Sequence, residues 1–369
     1  MNNYQVQFVS AGESRISWKR AAGFSLMELL VAMAVFLVVG GAAVNLFKQH
    51  VPLFTQQQSQ TAVNVAMRNA AAQLQIDLAN AGSGYYQGIN IPAWPIGVTI
   101  INPANGAVCF TAPSTYGAGC FDKLNIISAD PATPPANPTN LGGGAGVCDN
   151  VNTSTTLYLQ PIAPTTAATL AGDYQTGDEL LLVNSNGTQM TTVVLTAPGA
   201  VSGGLVQLTH TADNADGTDP ADTVLDVADV GETNLVYNGG VSKLGTQFCN
   251  TDWAIKLAAI TYSVDTVTNP ANPTLTRTEL GKTSTLADQI IGFKVGAWNT
   301  VTNQYEYNST VPYGADWSTI QSVRISMIGR TNPFTGAMMT GYKNSFDNGP
   351  YKVEGISIVV NPRNLSMNN

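Results

Sequence analysis

Histidine is almost missing from this chain of 369 residues, which holds two, His50 and His210. No Gly-x-Ser-x-Gly, His-Glu-x-x-His or phosphate-loop pattern occurs, which removes the usual constellations of nucleophilic, zinc-hydrolytic and phosphoryl-transfer chemistry. His210 stands three residues before Asp213, but a histidine at a strand end beside a loop acid reads as surface, and no enzyme is expected. Basic residues are scarce as well, 16 Lys and Arg against 24 Asp and Glu, for a formal charge of −8. The shortage is concentrated: from Tyr85 to Pro270 there are 3 basic and 15 acidic residues. Binding a phosphate backbone needs clustered cations, so no nucleic-acid partner is expected. Cysteine appears four times without a Cys-x-x-Cys pair or a nearby histidine, which argues against zinc.

The amino-terminal part has what the rest lacks, a long apolar run. From Phe24 to Phe47 there are 24 residues with a single charge, Glu28. About 20 apolar residues suffice for a helix to cross a bilayer. The run is too long for a signal-peptide core of about 7–15 residues. It has no polar face over 24 residues, which argues against a buried helix of a soluble core. Arg15, Lys19 and Arg20 precede it, so the positive-inside rule keeps the short amino terminus inside and sends the remainder outward. A plain anchor leaves Glu28 unexplained, because a carboxylate inside a span costs a few kcal/mol.

Gly23-Phe24-Ser25-Leu26-Met27-Glu28-Leu29-Leu30-Val31-Ala32 resembles the processing signal of type IV prepilins and pseudopilins. The resemblance implies a leader peptide over residues 1–23, cut after Gly23 by a prepilin peptidase that also N-methylates Phe24. It implies that Glu28, fifth in the mature chain, is a buried anion that sets subunit register by pairing with a cation of a neighbour. It further implies a single-pass inner-membrane protein whose outer part faces the periplasm and later the pilus or cell surface. Many pilins carry a proline inside the apolar run; here the first is Pro52, just beyond it.

Past the span, Val63, Met67, Ala70, Leu74, Leu78 and Ala81 recur at helical spacing and mark one apolar face. Gly82 is placed to end that helix. One long helix is therefore expected over residues 24–84, with 24–47 as transmembrane segment or filament core. Cys109, Cys120, Cys148 and Cys249 fall in the outward-facing part, where an oxidising compartment favours disulfides. Cys109 and Cys120 flank a Gly- and Pro-bearing loop and are expected to pair, leaving Cys148 with Cys249.

After Gly84 the helical pattern gives way to short β-branched runs separated by Gly, Pro and Asn, the signature of antiparallel sheet. "DELLLVNSNGTQMTTVVLTA" is a hairpin with its turn at Asn186-Gly187. The expected fold class is α+β and pilin-like: a long hydrophobic helix laid on one sheet of a large β-rich domain, residues 85–369, divisible into two subdomains. Between Asp213 and Glu232 the chain carries seven acids and no base. Asp213, Asp216, Asp219 and Asp222 are a weak calcium candidate, since their spacing of three departs from the alternation of an EF-hand loop; a solvated acidic loop is the plainer reading.

Several fragments also resemble, in order, minor pilins of the PilW type: "QLQIDLANAG" ending the helix, then "ITYSV", "TLTRTEL", "IIGFKV" and "SVRISM". That resemblance implies a minor type IV pilin that starts or caps a pilus, with other minor and major pilins and the inner-membrane platform as partners and no cofactor. The alternatives are a type II secretion pseudopilin and a pilus-borne adhesin or binding module.

Overall fold

The computed structural model describes residues 25–85, 97–101, 103, 107–112, 115–141, 148–150, 154–185, 190–210, 247–279, 281–299, 302–307, 322–333 and 341–362. Helix α1 runs from Leu26 to Ala79. The strands that follow are β1 (Val98–Ile101), β2 (Phe110–Ala112), β3 (Thr115–Tyr116), β4 (Lys123–Ala129), β5 (Asn137–Thr139), β6 (Cys148–Asn150) and β7 (Thr156–Gln160). A short helix α2 (Ala167–Gly172) leads to β8 (Glu179–Val183), β9 (Met190–Val194), β10 (Ala200–Ser202), β11 (Leu205–Thr209) and β12 (Gln247–Cys249). The chain continues through β13 (Trp253–Asp265), β14 (Thr274–Glu279), β15 (Lys282–Asp288), β16 (Ile290–Asn299), β17 (Gln304–Glu306), β18 (Val323–Arg330) and β19 (Val353–Val360).

Two compact units divide the chain, the first ending at Phe54 and the second starting at Thr55. In the first, the apolar side chains of α1 stand in the open: Leu26 is 79% exposed, and Phe36 and Val38 are comparable. With a mean hydropathy of 2.4 over its most apolar stretch, α1 is long and apolar enough to cross a membrane.

In the second unit, the stripe on α1 predicted by spacing is the face that is buried. Val63, Met67, Ala70, Leu74, Leu78 and Ala81 all lie in the larger of two cores. Left-handed Gly82, φ 69°, turns the chain past the end of α1 and donates its N–H to Ile127. The core opposite α1 differs from expectation in one respect: two sheets converge on it, not one. Leu124, Ile126, Tyr262 and Leu275 come from a seven-stranded antiparallel sheet ordered β1-β4-β13-β14-β15, with β8 and β9 joined through β13. Phe293, Val295, Ile325 and Met327 come from a four-stranded sheet ordered β17-β16-β18-β19.

Two features explain the convergence. Buried Asp122, just before β4, accepts from the backbone N–H of Val295 at 2.7 Å and from Lys294 Nζ at 2.8 Å, stitching one sheet to the other. Gly329 on β18 leaves room for α1, since a Cβ there would stand 2.7 Å from Val63 Cγ1 and 2.9 Å from Met67 Sδ.

A second core gathers Leu157, Leu159, Tyr174, Leu180, Leu182, Val206, Leu208 and Phe248 around the sheet β10-β11-β7-β5 and the hairpin β8–β9. That hairpin pairs Glu179 with Val194 through to Val183 with Met190, as its sequence predicts, and its Asn186-Gly187 turn lies outside the described residues.

Candidate functional site

The processing residues Gly23 and Phe24 lie outside the described residues, and the structure begins to speak at Ser25. Ser25 is the N-cap of α1, and Glu28 stands three residues later. The Ser25 N–H donates to Glu28 Oε2 at 3.2 Å, the Ser25 hydroxyl donates to the same oxygen at 3.3 Å, and the Glu28 N–H donates to Ser25 Oγ at 3.2 Å. This reciprocal arrangement is a capping box, which satisfies backbone donors left over at a helix start. A carboxylate is also favoured there by the positive end of the helix dipole. Glu28 thus has a role inside its own chain that sequence reading, looking for a cation, passed over, although Ser-x-x-Glu was the signal. A carboxylate has about four acceptor positions, so the cap leaves room for a further donor.

At the other end of α1, in the second unit, Asp77 is buried and fully engaged. Its Oδ2 accepts from Arg277 Nε at 2.6 Å and from the Tyr262 hydroxyl at 2.5 Å; its Oδ1 accepts from Gln73 Nε2 at 3.0 Å. Arg277 reaches on to Glu279 at 2.6 Å. Three fragments that carried the minor-pilin resemblance therefore meet at one point: "QLQIDLANAG" brings Asp77, "ITYSV" brings Tyr262 and "TLTRTEL" brings Arg277. "IIGFKV" and "SVRISM" contribute Phe293, Val295, Val323 and Ile325 to the core beneath.

A third cluster surrounds Arg330, only 2% exposed at the end of β18. Its Nε donates to Gln289 Oε1 at 2.6 Å, its Nη1 to the Tyr116 hydroxyl at 3.0 Å and its Nη2 to the carbonyl of Ala271. The guanidinium lies 5.3 Å from the ring centre of Tyr116 and 4.8 Å from that of Tyr351, within cation–π range. The Tyr116 and Tyr351 hydroxyls stand 2.7 Å apart, and both are within hydrogen-bond reach of Asp347 Oδ2, so their two protons are shared among these three contacts. A fourth cluster holds the Lys256 ammonium between Asp178 at 2.8 Å, Asp130 at 3.6 Å and the Asp173 carbonyl at 2.7 Å.

Four tyrosines are pushed above the ordinary phenol value of 10.0, each mainly by burial. Tyr262 is raised further by Asp77, Tyr116 by its bond to Tyr351, Tyr174 by Asp173 and Tyr85 by Glu179. Above that value the unfolded chain releases phenolic protons that the folded chain keeps. Stability present below about pH 10 is therefore lost as pH rises beyond it. The urea midpoint is expected to fall between about pH 9 and about pH 11. A midpoint that holds or rises over that interval would contradict this.

Both disulfides form as paired above, Cys109 with Cys120 and Cys148 with Cys249. Cys148 and Cys249 are directly opposed partners of β6 and β12. The weak calcium candidates Asp213, Asp216, Asp219 and Asp222 lie outside the described residues, and no group of three or more metal-ligating side chains occurs among the described ones. His210 corrects the expectation of a surface residue. It is 1% exposed and donates its backbone N–H to the carbonyl of Thr155, because β11 carries it into the second core's sheet.

Residues 18–44 match the family model described as the prokaryotic N-terminal methylation motif. The match includes the first part of the apolar α1, and together they support a type IV prepilin-like protein, a structural and membrane-anchored class whose members are processed by prepilin peptidase and associate with other pilins. The match ends at residue 44 and carries no PilW-type assignment for the outer domain. No curated protein and no solved structure matches the chain.

Proposed function

We propose that this protein is a minor type IV pilin. It is cut after Gly23 and methylated on Phe24, and it is held in the inner membrane by residues 24–47 with its β-rich part in the periplasm. It then joins other minor and major pilins, from the inner-membrane platform, to start or cap a pilus. The leader is 1–23, the helix 24–84 and the outer domain 85–369; the separate cores support two subdomains. The observation that carries the reading is the methylation motif running directly into an uncovered apolar helix. Such a surface is stable only in lipid or against similar helices.

Glu28 serves twice in this reading. Its capping bonds with Ser25 draw the carboxylate toward the helix start, where the freed amine of Phe24 appears after cleavage, and its spare acceptor positions take the cation of a neighbour. Pairing of this kind makes a carboxylate tolerable in an apolar surround.

Mass spectrometry of the membrane-associated protein tests the reading, in cells with and without prepilin peptidase. The expected mature chain begins at methylated Phe24 and is replaced by the full-length chain when the peptidase is missing. A chain that keeps its leader in both strains, or is cut near Ala43, sinks the proposal.

A further inference from the structure

The disulfide Cys109–Cys120 and helix α1 are joined by an unbroken run of polar contacts. The disulfide closes a loop so tight that a Cβ on Gly117 would lie 2.4 Å from the Val108 carbonyl oxygen, and one on Gly119 2.2 Å from that of Ala107. That loop presents Tyr116, whose hydroxyl accepts from Arg330 Nη1 at 3.0 Å. Arg330 Nε donates to Gln289 at 2.6 Å, Gln289 Nε2 donates to Asn332 Oδ1 at 3.2 Å, and the Asn332 N–H donates to Ser59 Oγ on α1 at 3.4 Å. Gln289 is held at φ 59°, a left-handed conformation that a non-glycine residue keeps only when its surroundings impose it.

This run reaches α1 in a stretch of the second unit that is less tightly packed than the stretch after it. A 550 Å³ groove lies there, lined by Gln58, Ser59 and Val63 on one side and Asn272, Gln289 and Asn332 on the other. Further along, Met67, Leu74 and Leu78 are sealed in the core. Dense packing tolerates little displacement. Residues 55–66 are held by fewer contacts, the Asn332–Ser59 bond, the bonds of Gln60 to Glu354 and Lys352 and the burial of Val63, so loss of the first loosens this stretch before the one after it.

We infer that closing the Cys109–Cys120 disulfide sets how firmly residues 55–66 of α1 are seated on the outer domain, so that thiol oxidation is a check the domain passes before this part of its helix is fully docked. The two thiols lose two electrons and two protons to an external protein disulfide, which becomes two thiols. Closure then fixes Tyr116. Tyr116 holds Arg330, a buried cation with no carboxylate within ion-pair distance among the described residues, by hydrogen bond and by ring face. Arg330 in turn sets Gln289 and Asn332. With the loop open, Tyr116 is positioned only through its hydroxyl at Asp347 and Tyr351, and its weakened hold lets Arg330 shift on its remaining partners, Gln289, the Ala271 carbonyl and the Tyr351 ring. The shift passes to Ser59.

Hydrogen exchange of the full-length protein in detergent micelles tests this, read at residues 55–66 with residues 70–79 as internal reference. Serine at both Cys109 and Cys120 is expected to speed exchange at 55–66 about tenfold and to leave 70–79 unchanged. Tyr116→Phe keeps the disulfide and is expected to speed the same segment about threefold, adding nothing further in the double-serine chain. Unchanged exchange at 55–66 in the double-serine chain overturns the inference, as does a Tyr116→Phe effect that adds in full to it. Should the double-serine chain not fold, Tyr116→Phe alone decides, and unaltered exchange at 55–66 overturns the inference. None of these readings depends on whether Gly23 is a cleavage site.

Discussion

Serine at both Cys148 and Cys249 is expected to lower stability by about 4.7 kcal/mol, against about 3 kcal/mol for removing Cys109–Cys120. The difference follows from sequence separation, 101 residues for the first pair and 11 for the second. A cross-link stabilises chiefly by limiting the unfolded chain, and a longer closed loop limits it more. The longer loop also encloses most of the second core. Leu157, Leu159, Tyr174, Leu180, Val206, Leu208 and Phe248 of the second core all lie between the two cysteines. The strands that the bond joins, β6 and β12, have three residues each, too few to hold such a segment closed by backbone pairing alone. A loss of that size is a large part of the roughly 5–15 kcal/mol available to a folded domain. Denaturant midpoints of both double-serine variants, followed by tryptophan fluorescence, give the comparison. Equal losses from the two removals would show that loop closure is not the source of the stabilisation.

Asp77→Ala is expected to cost about 3 kcal/mol, because removing one partner of a mostly buried ion pair strands the other. Arg277 would keep only Glu279, which is largely exposed and screened by water, and the Tyr262 hydroxyl would lose its acceptor. The companion variant separates charge from shape. Asp77→Leu combined with Arg277→Met removes both charges and keeps apolar volume, and is expected to restore most of the loss, as buried pairs replaced by well-packed apolar residues often do. Urea midpoints of the single and double variants measure this. A double variant as unstable as Asp77→Ala would mean that the bonds of Gln73 and Tyr262 to Asp77, rather than the ion pair, secure α1 here.

Much of the architecture was legible along the chain. The stripe from Val63 to Ala81 repeats with helical spacing, and a helix that must bury one stripe can hide only residues so spaced. The hairpin β8–β9 was readable from two short apolar runs on either side of Asn186-Gly187, a dipeptide that favours hairpin turns in sequence, and the pairing of the two strands is as expected. The disulfide partners followed from compartment and loop chemistry. Ser25 and Glu28 were readable too, as a Ser-x-x-Glu cap, because capping is local and its donors and acceptors lie within one turn.

What the chain could not reveal is what meets what across it. Asp77, Tyr262 and Arg277 are separated by 185 and 200 residues, and each looks unremarkable in its own fragment. Arg330 gives no hint in "IGRTN" that it is buried between two tyrosines, nor His210 in "LTHTA" that its strand carries it inside. The convergence of two sheets beneath α1 rests on Asp122 and on the missing side chain of Gly329. The physical reason is the same in each case. Periodicity, capping, turn chemistry and hydropathy act over a few neighbouring residues, so the sequence by itself determined the helix, its apolar stretch, its start and the hairpins. Burial of charge and the joining of sheets depend on which distant segments share a core, and only the tertiary structure decided those.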